Sequence, residues 1–197
     1  MKKNLTFYSI VSILLSISFL SISCKKKSEE KNVKEQDKIP GTEISVSPQE
    51  GFSETYYFPN QTFRYQKDTL PNGDVKLRSE IFFKGNVPDK KALYDVTLYV
   101  DYYQDINIES CKFVVTAISP DGNSKRTQQY KIVFNDITDT LQVEENGRIL
   151  KRNTRIIFPG MSVSSIGQFK VEMYPAGGRF DFTGIKSMTL ALRKVKE

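Results

Sequence analysis

The sequence predicts an all-β protein, a single antiparallel β-sandwich resembling a jelly roll that follows a signal peptide and a flexible tether. From Phe52 onward, apolar and polar residues alternate with period two in several short segments. Turn-forming pairs of Gly, Pro, Asn and Asp separate these segments, and no long stretch after Gly51 has the apolar spacing of a helix. The 197 residues, 39% of them hydrophobic, supply enough apolar surface for one domain with a core.

Residues 1–23 have the three parts of a secretory signal peptide. Lys2 and Lys3 form a positive start, the run from Leu5 to Ile22 is apolar and rich in hydroxyls, and small residues precede Cys24. One alternative is a transmembrane anchor, since the run approaches the length that spans a bilayer. Another alternative is a signal peptide that is cleaved at a different position, in which case Cys24 has no role in processing. The serines within the run favour the signal peptide over the anchor.

Residues 24–51 are predicted to form a charged tether. The segment KKKSEEKNVKEQDKIPGTEISVSPQ has no aromatic residue and few aliphatic ones, so it cannot bury enough apolar surface to become ordered. A coil of about 25 residues spans roughly 25 to 30 Å. The three lysines at its start are either a solvated stretch or a contact with anionic lipid, worth about 1 kcal/mol per lysine.

The strands are predicted within residues 52–197. In VKLRSEIFF, Val75, Leu77, Ile81 and Phe83 share one face and the charged side chains share the other, which is typical of one half-buried strand. ALYDVTLYVDYY repeats this pattern, and CKFVVTAI ends at the turn SPDGN. YKIVF, RIIF, QFKVEMY and SMTLALRKV follow, separated by NDITD, NG, PG, PAGG and TG. Seven or eight short strands of this kind indicate an antiparallel sandwich. In the second strand the inward set is Tyr94, Val96, Leu98, Val100 and Tyr102, and the outward set is Asp95, Thr97 and Asp101.

Composition excludes several classes of function. Without Lys2 and Lys3 the chain has 27 Lys and Arg against 23 Asp and Glu, a mild excess spread in both signs. Nucleic-acid binding usually shows a basic patch interleaved with aromatics, so the sequence does not favour it. The chain has no histidine and only two cysteines, which removes the commonest general base and the usual zinc ligands. We therefore expect no metal and no noncovalent cofactor.

Three acidic residues, Asp101, Asp105 and Glu109, cluster around the loop segment YYQDINIES. Paired carboxylates are what glycoside hydrolysis needs, but nothing in this spacing fixes their separation or provides a pocket. We interpret them as solvent-facing charges and expect a protein that is not an enzyme. No serine lies in a nucleophile motif, and SPDGN has too few oxygen ligands for a calcium loop.

Four tyrosines are the best candidates for contact with a ligand or a partner: Tyr56, Tyr57, Tyr102 and Tyr103. Amphipathic rings stack on sugars or anchor protein partners at low entropic cost. Because adjacent residues of a strand point to opposite faces, at least one tyrosine of each pair is expected to face outward. The alternative is that the rings close one end of the core and cover a sheet edge.

The segment LSISC resembles the lipobox of bacterial lipoproteins, with Ser21 in place of the usual large aliphatic residue. The resemblance implies that Cys24 is the first residue of the mature chain and carries diacylglycerol and an acyl chain such as palmitate. Several acyl chains anchor a protein stably where one does not. Lys25 after the cysteine, instead of Asp, favours the outer membrane. Cys111 then has no partner, and its apolar segment predicts a small buried hydrophobe.

A wider resemblance covers most of the chain after Phe52. The leader, the segment DVTLYVDYYQDINIESCKFVVTAISPDG and the closing IGQFKVEMYPAGGRFDFTGIKSMTLALRKV are together similar to the gliding-motility lipoprotein H family. This chain departs from that family in lacking tryptophan and in its longer acidic loop. The resemblance implies an envelope lipoprotein of the gliding and secretion apparatus, without catalysis or cofactor, and carries over only the acylated cysteine, Cys24. The DTL tripeptides also look like O-glycan acceptors, which makes Thr69 and Thr140 candidate glycosylation sites.

Two hypotheses for function remain. The first is a non-enzymatic accessory component of the cell envelope that docks on other envelope proteins through a sheet face or edge. The second is a module that binds glycan or another ligand through the four tyrosines. Exposed coplanar rings favour the second hypothesis, and buried rings with a flat uncharged face favour the first.

Overall fold

The computed structural model describes residues 43–64, 66–78, 81–176 and 181–195. The predicted signal peptide, Cys24 and the tether up to residue 42 lie outside the described residues. From Glu43 onward the chain forms one compact unit.

The described residues form strands joined by short turns, with a 3₁₀ turn at Pro59–Gln61. The strands are β1 (Gly51–Tyr57), β2 (Thr62–Phe63), β3 (Gln66–Thr69), β4 (Val75–Arg78), β5 (Ile81–Val87), β6 (Leu93–Tyr103), β7 (Ser110–Ile118), β8 (Lys125–Val133), β9 (Gln142–Glu145), β10 (Arg148–Ser162), β11 (Gly167–Pro175), β12 (Phe182–Thr183) and β13 (Ile185–Lys194).

Two antiparallel sheets make up the sandwich. The five-stranded sheet has the order β1-β13-β6-β10-β9, and the four-stranded sheet has the order β5-β11-β7-β8. Two short ladders, β12-β2 and β3-β4, are paired separately from these two sheets. When the short strands and β9 are set aside, successive strands lie in opposite sheets except for the β7–β8 hairpin, which is the strand order of a jelly roll. The predicted fold class is therefore confirmed.

The core lies between the inner faces of the two sheets. On β6 every second residue is almost completely buried, as predicted, and on β11 Phe169, Val171 and Met173 face the same core. Burial of each such side chain contributes about 1.5 to 3 kcal/mol, which is why the alternation determines the register. The inward residues of β6 are Tyr94, Val96, Leu98, Val100 and Tyr102.

One predicted strand is divided in the structure. The stretch VKLRSEIFF forms β4 and β5, which pair with different neighbours, β3 and β11. Ile81 and Phe83 are buried as predicted. The prediction of one continuous strand was wrong because an alternating pattern does not reveal that the chain changes its partner strand.

The PG pair at Pro159 and Gly160 was predicted to be a turn, and this was wrong. It lies inside β10, where the register against β6 shifts on either side of Phe158. Gly160 has a φ of 53° and donates its backbone N–H to Asp95 Oδ1 at 2.8 Å. A β-bulge suits this Pro-Gly pair as well as a turn does. Glycine adopts the positive φ of a bulged residue, and proline lacks the backbone N–H that would otherwise bond to the neighbouring strand.

The NG and SPDGN turns are confirmed. Asn146 and Gly147 have φ values of 52° and 76° and connect β9 to β10, which is the left-handed pair that a two-residue hairpin prefers. The loop between β7 and β8 is closed by a bond of 2.9 Å from Gly122 N–H to the Ser119 carbonyl oxygen.

Candidate functional site

Tyr102 is an interior residue. Its side chain has no exposed surface, its hydroxyl donates to Asp139 Oδ2, and it accepts the backbone N–H of Asn135 at 2.6 Å. Burial, and then the hydrogen bond to Asp139, raises the pKa of the Tyr102 phenol well above its usual range. Tyr102 therefore ties the β8–β9 connection to the core and presents no ring face to a ligand.

Tyr103 points to the opposite side of β6 and is also covered, with 3% of its surface exposed. Its hydroxyl donates to Glu145 Oε2 at 2.7 Å, and the guanidinium carbon of Arg148 lies 3.8 Å from the ring centroid. Tyr103 is thus the outward-facing member of its pair, but ionic side chains of β9 and β10 cover its ring.

The other pair lies on β1. Tyr56 is half-buried and packs edge-to-face on Phe58 with 5.0 Å between ring centroids. Tyr57 is the exposed member of the pair, at 38%. Of the four candidate rings only Tyr57 is exposed, so the structure does not bring them together as a stacking platform.

Two of the three carboxylates around the acidic segment form salt bridges with arginines. Asp101 receives Arg152 Nε on Oδ1 at 2.6 Å and Arg152 Nη2 on Oδ2 at 2.8 Å, and both side chains are buried. Asp105 is exposed and binds Arg148, which lowers the pKa of the Asp105 carboxyl. Glu109 is exposed. The prediction that Asp101 faces solvent was wrong, because its arginine partner covers it.

The remaining predicted residues are placed as follows. Cys111 is buried as predicted, and burial raises the pKa of its thiol to about 12, so it is inert at neutral pH. Thr69 and Thr140 are exposed, as acceptors for a glycan must be. Cys24 lies outside the described residues.

The middle of the outer face of the five-stranded sheet carries uncharged side chains. Two rows cross it by register: Ser53, Ala191, Thr97 and Ile156 form one, and Thr55, Thr189, Tyr99 and Thr154 form the other. We call these eight residues the neutral face. Thr55 and Thr189 share a hydroxyl hydrogen bond of 2.8 Å. Thr189 and Ala191, at the centre of the rows, are buried, whereas Ile156 is 56% exposed and the other five residues are half-buried. The adjacent charges of Asp101 and Arg152 neutralise each other.

The outer face of the four-stranded sheet differs in charge. Lys84 lies directly opposite Lys170, and Lys112 lies directly opposite Lys131. Phe82 lies opposite Glu172, and Tyr174 follows two residues later on the same face. We call this set the lysine face, which consists of Phe82, Lys84, Lys112, Lys125, Lys131, Lys170, Glu172 and Tyr174.

The five lysines of this face are exposed, and none takes part in the salt bridges found within the described ranges. Sequence reasoning missed this face, because an overall charge count does not show which strands become neighbours. The signal that could have found it is the repeated lysine at outward positions of VKLRSEIFFKG, CKFVV, YKIVF and QFKVE.

A surface cavity of about 600 Å³ lies at the β12 end of the sandwich. It is lined by Arg64, Asn107, Ile108, Asp181, Phe182 and Thr183. Arg64 and Asp181 face each other at 3.8 Å and are both largely exposed, so they are weakly coupled. Over the part of the chain that the structure describes, no three His, Cys, Asp or Glu side chains are grouped as metal ligands.

The described ranges contain no helix that is both long and apolar enough to cross a bilayer. No protein-family model matches this chain, and no curated protein matches its sequence.

Proposed function

We propose that the protein is a lipid-anchored lipoprotein of the cell envelope and a non-enzymatic accessory component of a gliding-motility or secretion apparatus. It acts through contacts with other envelope proteins. The anchor is inferred from the lipobox-like LSISC segment before Lys25, and the apparatus from the resemblance of the strand segments to the gliding-motility lipoprotein H family.

The observation that carries the docking function is the neutral face. The centre of a protein interface is depleted in charge, and the fully buried part resembles a domain core. Two uncharged rows cross strands β1, β13, β6 and β10. Asp101 and Arg152, at the border of these rows, form a salt bridge with each other, so a docked protein does not have to supply an opposite charge. Ile156 and the half-buried ring of Tyr99 supply the apolar surface that anchors such a contact.

Binding of glycan through stacked tyrosines has less support. Stacking needs exposed ring faces, and Tyr102 and Tyr103 are both buried with their hydroxyls engaged. Tyr57 alone does not form a platform. Buried tyrosines that stabilise the fold agree better with a docking protein than with a glycan-binding one.

Affinity capture of the acylated protein from its native envelope, followed by mass spectrometry, tests the docking function. Ile156→Glu places a charge in the neutral face, and we expect it to release the captured envelope proteins, since an unpaired charge is costly in an interface. Ile166→Glu is the matched control, because Ile166 is 61% exposed but lies in the β10–β11 loop.

Two results would contradict the proposal. Capture of the same proteins by Ile156→Glu and by the unmodified chain would remove the neutral face as the docking surface. Acyl labelling that persists in Cys24→Ser would remove the lipid anchor.

A further inference from the structure

We propose that the lysine face binds the surface of an anionic phospholipid bilayer. The folded domain then has a membrane contact of its own, on the opposite side of the sandwich from the neutral face. This inference goes beyond the proposed docking and does not depend on the acylated cysteine.

The first argument is the pairing of like charges. Residues directly opposite each other on one sheet face are close neighbours, and like charges there destabilise the sheet. Lys84 and Lys170 form one such pair, and Lys112 and Lys131 form another. All four side chains are exposed and bury little apolar surface, so neither pair stabilises the fold. An anionic surface removes this repulsion.

The second argument is the kind of cation. The lysine face contains five lysines and no arginine, whereas Arg148 and Arg152 make forked contacts to carboxylates elsewhere in the same domain. Arginine suits fixed carboxylates, and lysine is a hydrated point charge that is depleted in protein interfaces. The composition of this face therefore indicates that its binding partner is a diffuse layer of lipid phosphates and not an acidic protein.

The third argument is the pair of exposed aromatic rings among the lysines. Phe82 is 53% exposed and Tyr174 is 42% exposed. Tyrosine lies preferentially at the headgroup level of a bilayer, and phenylalanine on a membrane-binding surface inserts its ring into the apolar boundary below. The single acid, Glu172, lies opposite Phe82, so four excess positive charges surround these rings.

The fourth argument is the extent of the face. The two lysine pairs lie toward opposite ends of the sheet, about six residues or roughly 20 Å apart along β7, and the face crosses four strands, roughly 14 Å. A single small anion contacts only one end of this surface. A bilayer contacts all five lysines at once.

Vesicle sedimentation tests the proposal. The chain from Lys25 to Glu197 keeps every described strand and the core but lacks the acylated cysteine. We expect it to bind phosphatidylcholine vesicles that contain phosphatidylglycerol, to ignore pure phosphatidylcholine, and to dissociate as salt is raised.

Lys131→Glu with Lys170→Glu removes one member of each pair, and we expect binding to fall by more than about tenfold, since each lysine near such a surface contributes about fivefold. Lys90→Glu with Lys91→Glu is the matched control, because it makes the same change of net charge in the β5–β6 loop. We expect this control to bind as the unmodified chain does. Unfolding midpoints verify that both variants are folded.

Fluorescence gives an independent measurement. The chain has no tryptophan, so Phe82→Trp and Ile156→Trp each introduce a single reporter, one on each outer face. We expect the emission of the first to shift to the blue, and to be quenched by brominated lipid, when anionic vesicles are added. The second is expected to remain unchanged.

Three outcomes would overturn the proposal. In the first, the unmodified chain ignores anionic vesicles. In the second, the charge variant in the lysine face binds as well as the control does. In the third, the chain binds poly-glutamate but not vesicles, which would assign the face to an acidic protein. None of these outcomes bears on the capture experiment with Ile156→Glu, so the two proposals fail separately.

Discussion

At the scale of single residues, the Asp101–Arg152 pair shows how this sheet tolerates charge on its outer face. Both side chains are buried, and each oxygen of Asp101 accepts a guanidinium N–H. Ser187 Oγ lies 3.3 Å from Oδ2 and adds a third donor. Since the carboxylate is almost fully satisfied by donors, the cost of burying it is largely offset.

Asp101→Ala is predicted to destabilise the domain by about 3 kcal/mol, because it removes the carboxylate that the buried Arg152 guanidinium binds through two hydrogen bonds. Asp105→Ala removes an exposed partner of Arg148 and is expected to cost less than about 1 kcal/mol. Urea unfolding of both variants measures the difference. Equal losses would mean that burial does not determine the strength of these pairs.

Residue-level prediction from the sequence succeeded for inward positions and failed at two outward ones. Tyr94, Val96 and Cys111 were predicted correctly, since apolar side chains at alternate positions can only face the core. Tyr103 and Asp101 were predicted to be accessible and are covered. Arginines from β10 cover them, and a single sequence does not show which strand lies beside which.

At the scale of elements, a glycine allows β1 to close the sandwich against β5. A Cβ atom on Gly85 would lie 2.1 Å from Cγ of Phe52, far closer than real side chains approach. Phe52 itself packs on Phe169 of β11, with 6.4 Å between ring centroids. Glycine is unfavourable within a strand, but here it provides the space for a ring from the other sheet.

Gly85→Ala is predicted to destabilise the domain by about 1 to 3 kcal/mol through overpacking. The double variant with Phe52→Ala is expected to lose less than the sum of the two single losses, because the added methyl group then occupies vacated space. Asn86→Ala, at the next and exposed position, is the control and should have little effect. Additive losses in chemical denaturation would argue against the contact.

The elements themselves were largely predictable and their partners were not. Strand segments and the NG and SPDGN turns follow from local pattern and from φ preference. The division of VKLRSEIFF and the bulge at Pro159 depend on pairing with β3, β11 and β6, which is decided by the assembled sandwich. Local patterns carry no information about such distant partners.

At the scale of the whole molecule, charge is distributed unequally between the two outer faces. A mild overall excess of positive charge in the sequence becomes a lysine face on one sheet and a neutral face on the other. The sequence predicts docking through a sheet face in general terms, and only the topology identifies which residues share each face. The candidate site was therefore predictable in kind but not in position.

The variant Lys131→Glu with Lys170→Glu is predicted to raise the free energy of unfolding while it weakens lipid binding. Each substitution turns a like-charge pair into an opposite-charge pair, and each such pair contributes about 0.2 to 1 kcal/mol. Thermal or urea unfolding at low salt measures the gain. A loss of stability in this variant would indicate that the lysines have a structural role that the register does not show.

The position of β13 has a consequence for how the chain folds during its synthesis. This strand follows all the others described, yet it lies between β1 and β6 and pairs with both. Contacts between such distant segments make folding slow, because much chain entropy is lost before they form. A nascent chain that has emerged only as far as β11 has no partner for β1 and an open edge on β6. The five-stranded sheet therefore closes only once β13 has been made, so the order of synthesis delays the folding of this sheet.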